Sequence, residues 1–279
     1  MPELPEVEIA ARNLRAWAVG RCIRRADGEP RAKRIFRPEA PAAFAAALRG
    51  RSVSEVRRVG KQLLLRLEGC GRRSGPLGVV SHLGMTGKWL RRERGEPPPT
   101  HSRARLHLDD GAILHYQDPR LFGRLRLVPG ARFEQVPEVA RLGPDPLEDG
   151  IDPGRLVLAL ARRNVPVKVA MLDQSILPGV GNIQASEALF RAHIDPRRPA
   201  RSVSRSESRR LADAVVSSVR ETIAREQGAE PRYVEEVGSE NPFLVYGRAG
   251  ERCPRCRRRT LRRLVQGQRA TFFCPGCQR

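Results

Sequence analysis

Apolar residues recur at helical spacing near the start of the chain. The positions that share one helix face are Val7, Ala10, Ala11, Leu14 and Ala18. Pro5 suits the first position of a helix, two glutamates follow it in the positive end of the helix dipole, and Gly20 is a natural stop. The pattern predicts an N-terminal helix, and it leaves Pro2 and Glu3 unexplained.

Between about residues 51 and 128 the apolar positions follow the pattern of strands instead. Leu63, Leu65 and Leu67 alternate, and the segment 103–116 is divided by Asp-Asp-Gly at 109–111, which is typical of a hairpin turn. With the N-terminal helix, this pattern predicts an α+β first domain whose strands form an antiparallel β-sandwich or flattened barrel.

A stretch rich in Pro and Gly, residues 136–154, predicts a linker, and helical periodicity begins after it. The predicted helices are 152–163, 167–174, 182–191 and a long one that ends at Gly228. Ser204 and Glu207 form a capping-box pattern at the start of the long helix. The turn LPGVGN at 177–182 permits two interpretations, a phosphate-binding helix N-terminus or a helix–helix turn that needs glycine for its backbone.

Charge narrows the class of partner. The chain has 52 Lys and Arg against 31 Asp and Glu, a formal net charge of +21, which favours binding to a polyanion such as nucleic acid. No apolar run of about 20 residues and no hydrophobic signal segment occurs, so we expect a soluble intracellular protein without a membrane partner.

The six cysteines fall into two groups. Cys253, Cys256, Cys274 and Cys277 form C-x2-C-x17-C-x2-C, a spacing that brings two thiolate knuckles around one tetrahedral zinc. The alternative, two disulfides in a secreted protein, lacks the signal peptide that it requires. We expect one structural zinc per chain, and we expect the other two cysteines, Cys22 and Cys70, to be separate thiols.

Eight motifs occur in order along nearly the whole chain. They are PELPEVE, KQLLL, SHLGMTG, DPRLFG, LGPDPL, LPGVGNIQASEALF, VYGR and QRATFFCPGC. Together they resemble the bacterial formamidopyrimidine-DNA glycosylases, which excise oxidised purines and cut the strand. With the patterns above, the resemblance implies five segments: a catalytic β-sandwich domain at 1–135, a linker at 136–153, a helix-two-turn-helix DNA-binding domain at 154–228, a lesion-side loop and connection at 229–252, and a zinc β-hairpin at 253–279.

The resemblance implies a nucleophile at the N-terminus. After removal of Met1, Pro2 presents a secondary amine that is less basic than a lysine and can attack the sugar C1′ to form an iminium ion. Glu3 is then positioned to protonate the sugar ring oxygen or to shuttle a proton. The resemblance adds Lys61 as a phosphate contact and proton donor in β-elimination, and Arg269 as a clamp on the phosphates of the lesion.

An enzyme that acts on a base in duplex DNA has to extrude the base and fill the space that it leaves. The resemblance implies that this space is filled by Met85, Arg120 and Phe122. It also implies phosphate contacts at His82, His101 and Asn182, with Arg163 supplying a positive charge before the glycine turn. The partner that these residues imply is double-stranded DNA with damaged bases or abasic sites.

One departure from the family bears on specificity. The stretch 228–245 lacks the Gly- and Thr-rich loop that typical members place over the flipped 8-oxoguanine. We therefore expect ring-opened purines and abasic sites to be processed at least as well as 8-oxoguanine. An alternative is an endonuclease VIII-like enzyme for oxidised pyrimidines, which Leu4 disfavours because that branch usually has glycine there.

Two further alternatives lack glycosylase activity, a zinc-containing protein that only binds DNA and a transcriptional zinc ribbon. The intact set of Pro2, Glu3, Lys61 and Arg269 disfavours both. The sequence thus predicts a monomeric bifunctional DNA glycosylase and AP lyase, cytoplasmic in a bacterium and associated with the nucleoid through DNA.

Overall fold

The computed structural model describes residues 2–70, 75–226, 233–234, 238 and 240–279. These residues form two compact units. The first consists mainly of residues 6–140, and the second consists mainly of residues 141–225 and 240–279 together with residues 3–5. Within the described ranges, no helix has both the length and the apolar character needed to cross a membrane.

The first unit holds eight strands. They are β1 (Cys22–Gly28), β2 (Arg51–Val59), β3 (Gln62–Gly69), β4 (Leu77–His82), β5 (Lys88–Arg92), β6 (Ser102–Leu108), β7 (Ile113–Gln117) and β8 (Arg124–Pro129). The helices up to residue 140 are α1 (Leu4–Ala18), α2 (Lys33–Phe36), α3 (Pro41–Leu48) and α4 (Pro137–Ala140), with 3₁₀ turns at Pro30–Ala32 and Phe133–Gln135.

The eight strands form one antiparallel sheet in the order β5-β7-β6-β1-β2-β3-β4-β8. Its two ends fold over each other, because Trp89 of β5 donates to the Ser81 hydroxyl of β4 at 3.0 Å and Tyr116 of β7 donates to the His82 carbonyl at 2.9 Å. The predicted antiparallel sandwich is confirmed. Leu63 and Leu65 point into the core between the layers, and Leu64 is buried on the opposite face, where alternation alone predicts a polar residue.

The second unit contains α5 (Pro153–Ala161), α6 (Val167–Ala170), α7 (Asn182–Arg191), α8 (Arg205–Glu226), a 3₁₀ turn at Ala200–Ser202 and the hairpin β9 (Arg262–Gln266) and β10 (Arg269–Phe273). The capping box at the start of α8 is present, since Glu207 accepts from the Ser204 amide at 2.8 Å and Ser204 Oγ accepts from the Glu207 amide at 3.2 Å. Hydrogen bonding to Arg198 lowers the pKa of Glu207 to about 2.

Two sequence-based interpretations were wrong. Helix α6 ends at Ala170 instead of continuing to 174, because the amides of Leu172 and Asp173 bond to the carbonyls three residues back instead of four. Asp173 then accepts the Ser175 amide at 3.0 Å and turns the chain. Cys22 and Cys70 form a disulfide and are not separate thiols. The register of the sheet explains the pairing: Cys22 lies beside Ser52, and Arg51 lies beside Gly69, so the residue after Gly69 reaches Cys22.

Candidate active site and DNA interface

Glu3 lies at the N-terminus of helix α7. Its side chain is buried, and both carboxylate oxygens accept backbone hydrogen bonds, Oε1 from Ile183 at 2.9 Å and Oε2 from Gln184 at 3.0 Å. The first amides of a helix have no partner within the helix and carry the positive end of its dipole. They therefore hold the carboxylate and fix the position of Glu3.

The glycine turn before α7 is shaped around the N-terminal residues of the chain. A methyl group on Gly181 would lie 2.3 Å from the Glu3 carboxyl carbon, and one on Gly179 would lie 2.8 Å from Leu4 Cβ. Gly179 also has a φ of +82°, and its carbonyl accepts from the Leu4 amide at 2.9 Å. The turn LPGVGN needs glycine for its backbone, as the second interpretation has it, and the first amides of α7 hold the protein's own Glu3 carboxylate.

Lys168 is a residue that sequence reasoning missed. Its side chain is fully buried, and Nζ donates to Asn182 Oδ1 through a short hydrogen bond. Burial, reinforced by the positive charge of Arg269, lowers the pKa of Lys168 to about 8, while Glu3 opposes that shift. A lone lysine in the helical pattern VKVA resembles a solvated surface residue, so only the tertiary structure identifies it.

Asn182 connects this lysine to the zinc hairpin. Its Nδ2 donates to the carbonyl of Ala270 at 2.9 Å, next to Arg269, and its own side chain is nearly buried. Both polar atoms of the Asn182 amide are therefore engaged inside the protein. The predicted phosphate contact of Asn182 stays a prediction, whereas its role in holding the hairpin against α7 is structural.

Arg269 is exposed at the first position of β10, opposite Gln266. The two residues between them, Gly267 and Gln268, both have positive φ, so the hairpin turns in two residues. Gly267 rests against Val169, which supports the tip. Glu3, Asn182, Lys168 and Arg269 are thus brought into one region of the second unit.

Glu187 is a second residue that sequence reasoning missed. Its buried carboxylate accepts three successive backbone amides, those of Leu244, Val245 and Tyr246, at 2.9 to 3.0 Å. These amides lie at the VYGR motif that precedes the zinc module. Helix α7 therefore positions both Glu3 at its start and, from its middle, the entry to the zinc module.

In the first unit, Lys61 and His82 are neighbours. Lys61 lies in the two-residue turn between β2 and β3, and Gln62 next to it pairs with His82 of β4. Burial, reinforced by the charges of Lys61 and Arg124, lowers the pKa of His82 to about 4. His82 Nδ1 accepts from the Gly84 amide at 3.0 Å, so its neutral ring carries the proton on Nε2. A donor there suits a phosphate oxygen.

The loops with the three proposed void-filling residues pack against each other. A methyl group on Gly84 would lie 2.5 Å from the Phe122 carbonyl carbon, and Gly84 itself has a φ of +62°. Asp118, which is fully buried, joins the loops: it accepts from the Thr86 hydroxyl at 2.8 Å and from the amide of Gly123 at 2.8 Å. The motifs SHLGMTG and DPRLFG therefore form one structural feature.

The side chains on these loops differ in exposure. Phe122 is 39% exposed, and the Arg120 and Arg34 guanidinium carbons lie 5.0 and 5.5 Å from its ring centroid. Arg120 is exposed and Met85 is half-buried. A large exposed aromatic ring between two cations suits a wedge that enters a stack of bases. Arg34 was not expected from the sequence.

Three predicted site residues remain, His101, Arg163 and Pro2, and they differ in exposure and in partners. His101 is exposed with a φ of +58°, and its carbonyl accepts from the Asp118 amide at 3.1 Å. Arg163 pairs with Asp173, which compensates part of its charge. Pro2 is buried. Much of the atypical stretch 228–245, on which the specificity prediction depends, lies outside the described residues.

The four C-terminal cysteines fit one zinc ion. Their sulfur atoms all lie within 4.8 Å of one another, and the Cys253–Cys277 and Cys256–Cys274 pairs are 3.8 Å apart. A tetrahedron with Zn–S bonds of about 2.3 Å has an edge of about 3.8 Å. Hydrogen bonds from the backbone amides of Arg258 and Arg259 lower the pKa of Cys256 to about 6, which favours the thiolate. Four sulfur ligands leave no open position, so the zinc is structural.

Three family models match the chain. They are the formamidopyrimidine-DNA glycosylase N-terminal domain at residues 1–125, the formamidopyrimidine-DNA glycosylase H2TH domain at 142–232, and the zinc finger found in FPG and IleRS at 250–279. The last match, together with the sulfur geometry, confirms the zinc prediction.

Relatives are similar over their whole length. The formamidopyrimidine-DNA glycosylase of Rhodospirillum centenum is 39% identical over 100% of both chains. The crystal structure of the MutM (Fpg) protein of Thermus thermophilus matches with a TM-score of 0.80 and 38% identity, covering 99% of this chain and 98% of that one. The Lactococcus lactis Fpg bound to DNA with an abasic site matches with a TM-score of 0.85 and 26% identity over 99% of each chain. The chain therefore belongs to the formamidopyrimidine-DNA glycosylase family of bifunctional DNA repair enzymes.

Proposed function

We propose that this enzyme removes oxidised or ring-opened purines from duplex DNA and uses the amine of Pro2 as its nucleophile. The observation that carries the proposal is the fixed carboxylate of Glu3, the residue next to Pro2, on two amides of helix α7. The Pro2 nitrogen attacks the sugar C1′, the N–C1′ bond forms, and the bond from C1′ to the damaged base breaks.

Glu3 serves this step as a proton shuttle. Its carboxylate oxygens, held by two backbone amides, take the proton that the Pro2 amine loses. It returns that proton to the ring oxygen of the sugar as the ring opens, which leaves an iminium ion between Pro2 and C1′. The departing base takes its own proton from solvent or from the protein.

The iminium ion acidifies the sugar C2′, and two eliminations follow. Loss of the C2′ proton expels the 3′ phosphate, and a second elimination expels the 5′ phosphate. We assign phosphate binding and proton donation in the first elimination to Lys61, and the phosphate clamp in the second to Arg269, which is exposed at the tip of a hairpin that the zinc knuckles hold together. Hydrolysis of the iminium ion then frees Pro2.

DNA binding and base extrusion use the rest of the predicted set. We assign void filling to Met85, Arg120 and Phe122. We assign phosphate contacts to His82, His101 and Arg163, and to Asn182 through the second hydrogen of its Nδ2. The close packing of the two loops and the neutral, donating ring of His82 support these roles.

We assign the functional segments as 1–135 catalytic, 136–153 linker, 154–228 helix-two-turn-helix, 229–252 lesion-side and 253–279 zinc hairpin. The enzyme works on the nucleoid in the bacterial cytoplasm.

Borohydride trapping tests the nucleophile. We expect a protein that lacks Met1 to form a covalent adduct with abasic-site DNA, and peptide mapping to place the adduct on Pro2. A protein with an N-terminal tag, whose proline nitrogen is an amide, should bind this DNA without cutting it. The same tag at the C-terminus is the matched control and should leave cleavage intact. An adduct on Lys61, or full activity with the N-terminal tag in place, would refute the Pro2 mechanism.

A panel of duplexes tests the substrate class. Duplexes with a ring-opened purine, 8-oxoguanine, an oxidised pyrimidine or an abasic site are compared by the single-turnover rate of strand cleavage. We expect ring-opened purines and abasic sites to react at least as fast as 8-oxoguanine, and oxidised pyrimidines to react more slowly. Preference for oxidised pyrimidines would overturn the purine assignment and favour the endonuclease VIII-like alternative.

A further inference from the structure

The zinc module carries far more positive charge than the proposed chemistry uses. Residues 252–279 contain nine arginines and no aspartate or glutamate. Arg269 is assigned to the lesion, and Arg255 packs over the ring of Phe190 at 4.1 Å from its centroid. The other seven arginines have no role in the proposed reaction.

Four of these arginines line one groove. The groove has a volume of about 760 Å³ and is lined by Arg258, Arg259, Arg262 and Arg279, with Thr260 beside them. All four arginines are exposed. Among the described residues none of the four forms an ion pair, whereas other arginines of the same unit do, as Arg191 does with Glu221 and Arg197 with Asp195.

The backbone that carries the groove is held in place by the zinc knuckle. The amides of Arg258 and Arg259 donate to the sulfur of Cys256, and the Arg259 carbonyl accepts from the Cys253 amide at 2.8 Å. The side-chain stem of Arg259 lies over Gly276, where a methyl group would come within 2.9 Å of Arg259 Cγ. The guanidinium groups therefore project from a rigid base, which lowers the entropy lost when they bind an anion.

The groove lies at the opposite end of the hairpin from Arg269. In the strand register Arg269 pairs with Gln266 at the tip, whereas Arg262 pairs with Phe273 four residues further along, next to Cys274. Four residues of strand span about 13 Å. If Arg269 at the tip of the hairpin contacts the duplex that holds the lesion, the groove lies at the other end of the hairpin, about 13 Å away along the strands.

We propose that the arginine groove binds the phosphate backbone of a second segment of duplex DNA. A concave surface with four unpaired guanidinium groups and no aspartate or glutamate in its lining is complementary to closely spaced phosphates, which arginine binds in bidentate fashion. This inference rests on the proposed role of Arg269 at the hairpin tip. An enzyme that holds a second duplex before it releases the first can transfer between DNA segments without passing through free solution.

The test compares a groove variant with a variant of equal charge. The groove variant is R258Q/R259Q/R262Q, and the control is R205Q/R209Q/R220Q, three exposed arginines of α8. The dissociation rate of a labelled 15-base-pair duplex with an abasic-site analogue is measured against rising concentrations of unlabelled undamaged duplex. We expect this rate to rise with competitor for the wild type and the control and to stay constant for the groove variant. In the wild type, the logarithm of the competitor's effect should fall with the logarithm of the salt concentration with a slope of about −3.6, for one phosphate at each of the four groove arginines.

Two further measurements separate failure of this inference from failure of the proposed function. Single-turnover excision from the short duplex should be unchanged in the groove variant, and zinc content should stay at one per chain. If R258Q/R259Q/R262Q loses zinc, R262Q/R279Q, which leaves the cysteine knuckles unaltered, replaces it with the same expectation. A wild-type rate that does not respond to competitor would overturn the inference, as would equal behaviour of groove variant and control. A groove variant that binds the short duplex more weakly would also overturn it, because the groove would then serve the lesion duplex.

Discussion

Glu3 in the second unit and Asp118 in the first are buried carboxylates that use the same kind of hydrogen bond for different purposes. Each accepts backbone amides on both oxygens, Glu3 from Ile183 and Gln184, and Asp118 from Arg120 and Gly123. Glu3 follows the proposed nucleophile, and we propose that its own charge takes part in the reaction. Asp118 holds a loop whose exposed side chains we assign to DNA binding. A buried, fully bonded carboxylate can therefore be a reactant or a support, and an isosteric amide separates the two roles.

The largest effect is expected for Glu3→Gln. The amine of Pro2 survives this change, but the proton shuttle does not, so base excision should fall by about 10²-fold or more. Cleavage at a preformed abasic site should persist in part, because the base has already gone. Single-turnover rates on lesion and abasic duplexes measure the two steps. An equal loss of both activities would show that Glu3 is a support like Asp118.

Gly181→Ala tests whether the position of Glu3 matters as well as its charge. The added methyl group would lie 2.3 Å from the Glu3 carboxyl carbon, so the carboxylate has to move. A displacement of about 1 Å at a reacting group costs about 10²-fold in rate, and we expect excision to fall by about 10- to 100-fold.

The matched control is Gly20→Ala. Gly20 has a φ of +81° and open space where the methyl group would lie. It should lower the free energy of unfolding by about 1 to 2 kcal/mol through backbone strain and leave excision unchanged. If excision by Gly181→Ala matched that of Gly20→Ala, the crowding at Glu3 would have no catalytic consequence.

Asp118→Asn should have a smaller effect of a different kind. The new amide group faces a backbone donor, which leaves a buried hydrogen bond unmade at a cost of about 1 to 3 kcal/mol. We expect this cost to weaken the loop arrangement that fills the void by about 1.4 kcal/mol. Excision from duplex DNA should then fall by about 10-fold. A fluorescent base opposite the lesion reports void filling directly. Excision that falls while this signal stays at the wild-type level would contradict the supporting role of Asp118.

The smallest effect on the reaction is expected for Lys168→Met. The consequence of this change should appear in the pH dependence of the free energy of unfolding. Burial and Arg269 lower its pKa from 10.5 in the unfolded chain to about 8 in the folded protein. Between these values the unfolded state binds more protons, so the free energy of unfolding rises with pH from about 8 to 10.5, by up to about 3 kcal/mol. Urea unfolding of wild type and Lys168→Met over this range measures the term. A difference between the two proteins that does not change with pH would show that Lys168 keeps an ordinary pKa.

Features that depend on residues close together in the sequence could be predicted from the sequence alone. The capping box of Ser204 and Glu207, the stop at Gly20 and the spacing of the four zinc cysteines each follow from residues a few positions apart, or from one hairpin. The helix α7 was predicted at its observed bounds, 182–191, because a glycine turn precedes it and its apolar spacing is regular.

Features that depend on distant segments were missed. The Cys22–Cys70 disulfide requires the register of three strands, and the burial of Lys168 requires α6 to pack against the start of α7 and the hairpin. Helix α3 was also missed, since the run PAAFAAAL is apolar at nearly every position and shows no period. Asp118 stood inside a recognised motif, yet its part in joining two loops comes from a contact with Thr86, 32 residues away.

The hydrogen bond from Asn182 to the Ala270 carbonyl makes the metal-bound hairpin part of the helix end that holds Glu3. We therefore expect removal of the metal to disturb the proposed reacting groups as well as the affinity for DNA. Oxidants that attack thiolates belong to the same class of agents that damage guanine. The capacity of a cell to repair oxidised bases with this enzyme is thus tied to its zinc supply and to the state of its thiol pool during the stress that makes repair necessary.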